Sequence, residues 1–241
     1  SMHIYNTNLT LKKGTMNVLL GRTSSGKTSL MRIMAGLDVP TSGKILWEGK
    51  DVTGMKVQNR KIAMVYQQFI NYPSMTVYEN IAAPLRLMKK SEDFIDKAVR
   101  KTAALMRMTD MLHKKPLELS GGQQQRCALA RSLVKGSGLV LLDEPLANLD
   151  YKLREELRAE IPKLFEESGA IFVYATTEPE EALLLGGNVA TLWEGKITQF
   201  GETAEVYHNP NNATTAKVFS NPSMNFLNIE KKEGFIYFSN S

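Results

Sequence analysis

The chain has no apolar stretch near the roughly 20 residues that a bilayer-spanning helix needs. The stretch from Ser1 does not have the charged-then-apolar pattern of a secretory signal, so any membrane role is expected to run through a partner. The single cysteine, Cys127, has no internal disulfide partner, fits a reducing compartment, and in the run CALA reads as a small buried hydrophobe. His3, His113 and His208 are scattered, without the i, i+4 or Cys-flanked spacing of a zinc site. There is no internal repeat, low-complexity linker or dense Lys/Arg block. The net charge of +5 therefore reads as a solvated surface compatible with phosphate ligands, and no nucleic-acid partner is expected.

What is present is an ordinary globular composition: 241 residues, 43% hydrophobic and 23% charged, enough to bury one large core. Asn8 to Leu11 and Met16 to Leu20 read as strands around a Lys-Lys-Gly turn, and the second leads through a Gly/Ser-rich loop into a helix, Lys27 to Ala35, stopped by Gly36. Lys44 to Trp47 and Lys61 to Gln67 read as further strands. From about Val77 to Lys135, Met and Leu recur at three- and four-residue spacing, which predicts a helical insert. Strands return at Leu139 to Leu142 and Ile171 to Tyr174, with a charged helix, Leu153 to Phe165, between them, the alternation of a parallel α/β sheet. Asn188 to Trp193 and Lys196 to Phe200 flank Glu194-Gly195 as an antiparallel hairpin.

Three motifs carry chemistry. GRTSSGKT, Gly21 to Thr28, fits G-x-x-x-x-G-K-[ST] between a strand and a helix, a pattern expected by chance in about 1% of chains this long. A phosphate chain needs several N–H donors converging on it, and glycines at the loop ends let the backbone wrap while the helix directs its positive pole inward. Gly21, Arg22, Thr23, Ser24, Ser25, Gly26, Lys27, Thr28 and Ser29 are the candidate nucleotide-binding residues. Lys27 would neutralise β/γ-phosphate charge and Thr28 would ligate Mg²⁺. LVLLDE, Leu139 to Glu144, is an apolar strand ending in two carboxylates, which suggests metal and water chemistry at the carboxyl end of a parallel strand: Asp143 for the metal, Glu144 as general base. On its own that pair could also be a helix-capping pair of acids; next to the phosphate loop the catalytic reading is the stronger. LSGGQ, with Ser120, Gly121, Gly122 and Gln123, opens a helix and offers either a plain N-cap or a second anion site.

GRTSSGKT, LSGGQ and LLDEP in this order resemble the ATP-binding subunit of an ABC transporter over almost the whole chain. The resemblance implies an α/β fold, a P-loop NTPase core whose mixed sheet has flanking helices, with a helical subdomain at about 77–135 and an antiparallel β region. It also implies an ATP hydrolase using ATP and Mg²⁺, with Gln67 at the position that senses Mg²⁺ and attacking water and Asn148-Leu149-Asp150 crossing between subunits. Ser120 to Gln123 would act in trans, on nucleotide held by a second ATPase subunit. Segment Phe69 to Tyr78, with Phe69, Tyr72 and Tyr78 exposed, would receive a membrane permease, placing the chain peripherally at the cytoplasmic face of a bacterial plasma membrane. A solute-binding protein would take part indirectly. MVYQQF, YPSMTVYENI and SNPSMNFL are similar to bacterial sugar and polyol importers of the maltose and glycerol-phosphate type, the glycerol importer with its two different ATPase chains in particular. Other solutes, such as maltose-like sugars or polyamines, and a soluble ABC ATPase acting on nucleic acid are the alternatives.

Three departures from that family stand out. Its adenine-stacking aromatic should precede residue 1, and Tyr5 is not promoted to that role. Ile229 to Phe238 matches only the first strands of a regulatory domain, so residues 1–220 are expected to form the ATP-binding domain and 221–241 the start of a truncated one, with the chain trimmed at both ends or incomplete. The family's switch histidine, a γ-phosphate contact, falls at Thr177, followed by Glu178 in place of aspartate. Thr177 to Glu180 also reads as a capping box with Thr177 at the N-cap. A threonine hydroxyl is shorter than an imidazole and cannot carry positive charge, so the site on this chain's own loop is expected to be slow, and the ATPase an asymmetric heterodimer.

Overall fold

The computed structural model describes residues 4–66, 70–147, 151–227, 229–232 and 235–238. Its centre is a six-stranded sheet. In chain order its strands are β1 (Met16–Leu20), β4 (Ile62–Val65), β5 (Leu139–Asp143), β6 (Ile171–Thr176), β7 (Asn188–Trp193) and β8 (Lys196–Glu202); between β1 and β4 two short strands, β2 (Leu46–Trp47) and β3 (Lys50–Asp51), pair separately. The sheet order is β4-β5-β6-β1-β7-β8; the first five run parallel and β8 turns back antiparallel to β7.

The apolar runs of β1, β5 and β6 follow from burial on both faces. Because side chains alternate, Leu19, Leu141 and Val173 face one way, onto Leu30, Met31 and Ala35 of helix α1 (Lys27–Ala35). Val140, Leu142, Phe172 and Tyr174 face the other, where α2 (Val77–Leu87), α3 (Glu92–Leu105), α4 (Gly121–Leu133) and α5 (Tyr151–Ser168) contribute Ile81, Leu85, Val99, Leu129 and Ile161. Val18, Leu20 and Val189 are covered by Ala182 of α6 (Pro179–Leu185), Val206 of α7 (Thr203–His208) and Val218 of α8 (Ala213–Val218). Each fully buried Val, Leu, Ile, Phe or Met among them contributes about 1.5–3 kcal/mol by leaving water, which is what fixes the layers.

The expected strand Asn8 to Leu11 does not form. Strand β1 is hydrogen-bonded to β6 on one edge and β7 on the other, so a hairpin partner has nowhere to pair. The helical insert is present as α2, α3 and α4, and the charged helix extends to Tyr151–Ser168. Strands β9 (Ile229–Lys232) and β10 (Phe235–Phe238) form a two-stranded antiparallel pair apart from the main sheet.

Helix α2 starts with a full capping box: Glu79 N–H donates to Thr76 Oγ1 (3.2 Å) and Thr76 N–H to Glu79 Oε2 (2.7 Å). Buried Asn80 fixes the preceding loop, donating to the carbonyls of Tyr72, Met75 and Thr76 and accepting from Tyr72 N–H. Tyr72 is 43% exposed with Arg131 over its ring. Tyr78 does not share that exposure. It packs against the core and its phenol donates to Asp96 at 3.2 Å, which corrects the expectation that it is a surface aromatic. Phe69 lies outside the described residues.

Cys127 is fully buried, and burial pushes its thiol up to about 11. Since only the thiolate is nucleophilic, alkylation of the native protein near neutral pH is expected to run about tenfold or more slower than in denaturant, checked by mass spectrometry of timed iodoacetamide quenches. Equal rates would contradict this packing.

Candidate active site

The phosphate loop and the paired acids meet at the carboxyl ends of β1 and β5. Gly21 closes β1 where the chain passes under its neighbour; a Cβ there would lie 2.5 Å from the Leu192 carbonyl oxygen and 2.6 Å from Ser25 Oγ, so no larger residue fits. Ser24 (φ 65°) and Gly26 (φ 105°) take left-handed conformations, turning the loop around its own centre before Lys27 starts α1. Arg22, Thr23, Ser24 and Thr28 are exposed at the loop, Ser25 and Lys27 buried, and Gly26 and Ser29 half-buried. Arg22 stacks over Trp193, 5.2 Å from the ring centre. A nine-residue helix thus aims its unsatisfied N–H groups into the loop.

Lys27 and Glu144 meet across this loop: Lys27 Nζ lies 3.2 Å from Glu144 Oε1 and donates to the Gly21 and Arg22 carbonyls at 2.7 and 3.1 Å. Phosphate oxygens arriving in the loop would replace those carbonyls as partners of the ammonium. Thr28 Oγ1 donates to Asp143 Oδ1 at 3.2 Å, bringing together two hard oxygen donors from α1 and β5. Burial, and then the charge of Glu144, raise the Asp143 carboxyl above the usual range, against the opposing Thr28 hydrogen bond and Lys27 charge. A hydroxyl beside a desolvated carboxylate at a phosphate loop fits Mg²⁺, which takes few protein ligands and completes its shell with phosphate and water. Gln67, the third expected metal and water ligand, lies outside the described residues, as does Asn148-Leu149-Asp150.

Glu144 has φ 46°, a left-handed conformation costing a non-glycine residue on the order of 1–3 kcal/mol. Its N–H donates to the Ala175 carbonyl at 3.0 Å, tying the turn after β5 to the end of β6. That turn puts the carboxylate on the loop side, with 21% of the side chain still exposed to water. Glu144 therefore combines access for a water molecule with a fixed carboxylate, the requirement for a general base.

Thr177 reaches the same place. Together with Glu144, Ala147, Arg154, Glu178 and Glu181 it lines an open cavity of about 170 Å³. It is not, however, the cap of the following helix. Helix α6 begins at Pro179 with Glu178 at the N-cap and no side-chain cap bond, and it is the Thr176 hydroxyl that accepts Glu178 N–H, at 3.0 Å. Proline at the first helical position sets the start one residue later than the capping-box reading.

Ser120 caps α4, with Gln123 N–H donating to Ser120 Oγ at 3.4 Å and Ser120 N–H to Gln123 Oε1 at 3.0 Å. Gly121 has open space around it, and Ser120 and Gly121 are exposed. Among the described residues no hydrogen bond links this motif to the phosphate loop of the same chain. The residues the motifs did not signal are Thr176 and Glu181: a threonine ending an apolar strand and an acid inside PEEALLL carry no pattern of their own.

A family model described as ABC transporter matches residues 4–147. The trehalose/maltose import ATP-binding protein MalK of Thermococcus litoralis is 43% identical over 95% of this chain and 64% of its own length. The sn-glycerol-3-phosphate import ATP-binding protein UgpC of Vibrio vulnificus is 41% identical over 94% of this chain and 61% of its own. The chain thus spans less than two thirds of these relatives. Among solved structures, a dimeric post-hydrolysis ATP-binding cassette, MJ0796 bound to ADP and Pi, superposes with a TM-score of 0.72 at 29% identity, covering 83% of this chain and 90% of that one. The phosphate loop, the paired acids after β5 and the mixed sheet therefore have their explanation in common descent: the chain belongs to the ABC transporter family.

Proposed function

We propose that this chain is the ATP-hydrolysing subunit of a membrane importer for a small polyol or sugar, glycerol or glycerol 3-phosphate foremost, and one half of an ATPase heterodimer. The observation that carries the reading is the double contact of the loop helix with the acid pair, Lys27 to Glu144 and Thr28 to Asp143. It gathers a phosphate cradle, a metal-binding pair and a base within one site. Loop amides and Lys27 would hold the phosphate chain, and Thr28 and Asp143 the Mg²⁺ that neutralises developing charge when bound. Glu144 would orient a water and take its proton as the water oxygen bonds to the γ-phosphorus and the bond to ADP breaks. Ser120 to Gln123, with Ser120 and Gly121 exposed and no hydrogen bond to this loop among the described residues, would complete a site on the partner ATPase, as the dimeric neighbour suggests.

The chain holds no helix long and apolar enough to cross a membrane among the described residues, so a permease would supply the path. The segment Phe69 to Tyr78, with Ile70 and Tyr72 exposed among its described residues, is the proposed contact, at the cytoplasmic face of a bacterial plasma membrane. A solute-binding protein would act through the permease. Residues 1–220 are proposed as the ATP-binding domain and 221–241 as the start of a second. The solute rests on relatives whose printed names span trehalose/maltose and sn-glycerol 3-phosphate.

The test is to co-purify the full-length chain with its native ATPase and permease subunits and measure ATP hydrolysis with each candidate solute and binding protein. The mixed ATPase pair is expected to hydrolyse ATP about tenfold or more faster than the homodimer of this chain, because one donor missing from the transition state slows a site. Equal rates would overturn the asymmetric pair, and stimulation by another solute class would reassign the cargo.

A further inference from the structure

In the wall of the same cavity lies a buried polar cluster that the reaction just described does not use. Glu181, on α6 and 4% exposed, accepts two hydrogen bonds at Oε2, from Tyr174 OH at 3.0 Å and Thr176 Oγ1 at 2.5 Å. Its Oε1 lies 3.6 Å from Arg158 Nη2 on α5. Tyr174 is held well above its usual value by burial and then by the Glu181 charge, which keeps it a donor. A buried acid costs several kcal/mol unless compensated, and here two hydroxyls and a guanidinium supply the compensation.

What these groups hold is the end of β6. Thr176 accepts Glu178 N–H on its hydroxyl and Gly21 N–H on its carbonyl, the latter at 3.3 Å. The preceding carbonyl, Ala175, accepts Glu144 N–H at 3.0 Å. Two successive residues of one strand end therefore anchor the first residue of the phosphate loop and the candidate base, and Glu181 clamps that strand end from below. Arg158 links the clamp to α5, and the cavity side of the same loop carries Thr177.

We infer that Glu181, acting through Thr176, is a positioning residue for ATP hydrolysis: it sets the spacing between the phosphate loop and Glu144. Its effect falls on the attacking water more than on nucleotide binding, since the amides of Ser24 to Thr28 and Lys27 remain in place when the clamp loosens. The inference rests on the proposed ATPase reading, and the test separates the two. Thr176→Val removes the hydroxyl at constant shape, Thr176→Ser returns it, and Glu181→Gln keeps an acceptor but removes the charge facing Arg158.

In the homodimer of the full-length chain, where this chain's own site alone turns over, Thr176→Val and Glu181→Gln are expected to lower single-turnover hydrolysis by about 10–30-fold. MgATP affinity should stay within about threefold, and Thr176→Ser should restore the rate to within about threefold of wild type. In parallel, amide hydrogen exchange in peptides covering Gly21 and Glu144 should quicken about tenfold in both impaired variants. Thr176→Val that folds, exchanges like wild type and turns over within twofold of it overturns the inference, as does equal damage from Val and Ser. If the wild-type homodimer does not hydrolyse ATP, the ATPase reading fails instead, and the exchange measurement alone decides whether the clamp exists. Should Glu181→Gln not fold, the Val and Ser pair decides.

Discussion

Glu144→Gln is expected to lower hydrolysis at this chain's nucleotide site by about 10²–10⁴-fold while leaving nucleotide bound, because a general base typically contributes that factor. The amide keeps the volume and backbone demand of a residue held at φ 46°, and it still reaches Lys27, which retains the Gly21 and Arg22 carbonyls as partners. What it loses is the ability to take a proton. The measurement is single-turnover hydrolysis by the homodimer of this chain, with binding followed by a fluorescent nucleotide. In a mixed pair the same substitution should change total turnover little, because the partner's site carries most of it. A Glu144→Gln homodimer retaining more than about a third of the wild-type rate would remove Glu144 from the mechanism and leave the acid pair as a structural cap.

Much of this site was legible because its parts are local. A phosphate loop needs its glycines and lysine at fixed spacing, so Gly21 to Thr28 announces both the chemistry and the strand and helix around it. LVLLDE announces itself in the same way, since acids that end a doubly buried strand demand a partner, and Thr28 and Lys27 are those partners. Asn8 to Leu11 misled because a β-like run says nothing about whether the neighbouring strand has a free edge; β1 has none. Thr177 misled as a cap because Pro179 fixes where the helix begins. Glu181 was illegible for a third reason: in a helix starting PEEA an acid reads as solvated, and only the packing of α5 against α6 buries it beside Tyr174 and Thr176.

Replacing Thr177 by histidine is expected to raise hydrolysis at this chain's own site by about 10²–10³-fold, the reverse of losing one transition-state donor. The structure makes the substitution a clean one. Position 177 faces the cavity that Glu144 lines, and it is half-buried, with room for a longer side chain in about 170 Å³. The cap and the strand-end bonds run through Thr176, so no hydrogen bond described for this loop is removed with the Thr177 hydroxyl. An imidazole there could reach further than the hydroxyl and carry positive charge toward the γ-phosphate. The homodimer should show the gain in full. In the mixed pair, where one site already works, total turnover should at most about double, and the two results together identify which site is slow. An unchanged homodimer rate at saturating ATP would mean that position 177 does not limit hydrolysis. The asymmetry of the pair would then have to arise from a different part of the site.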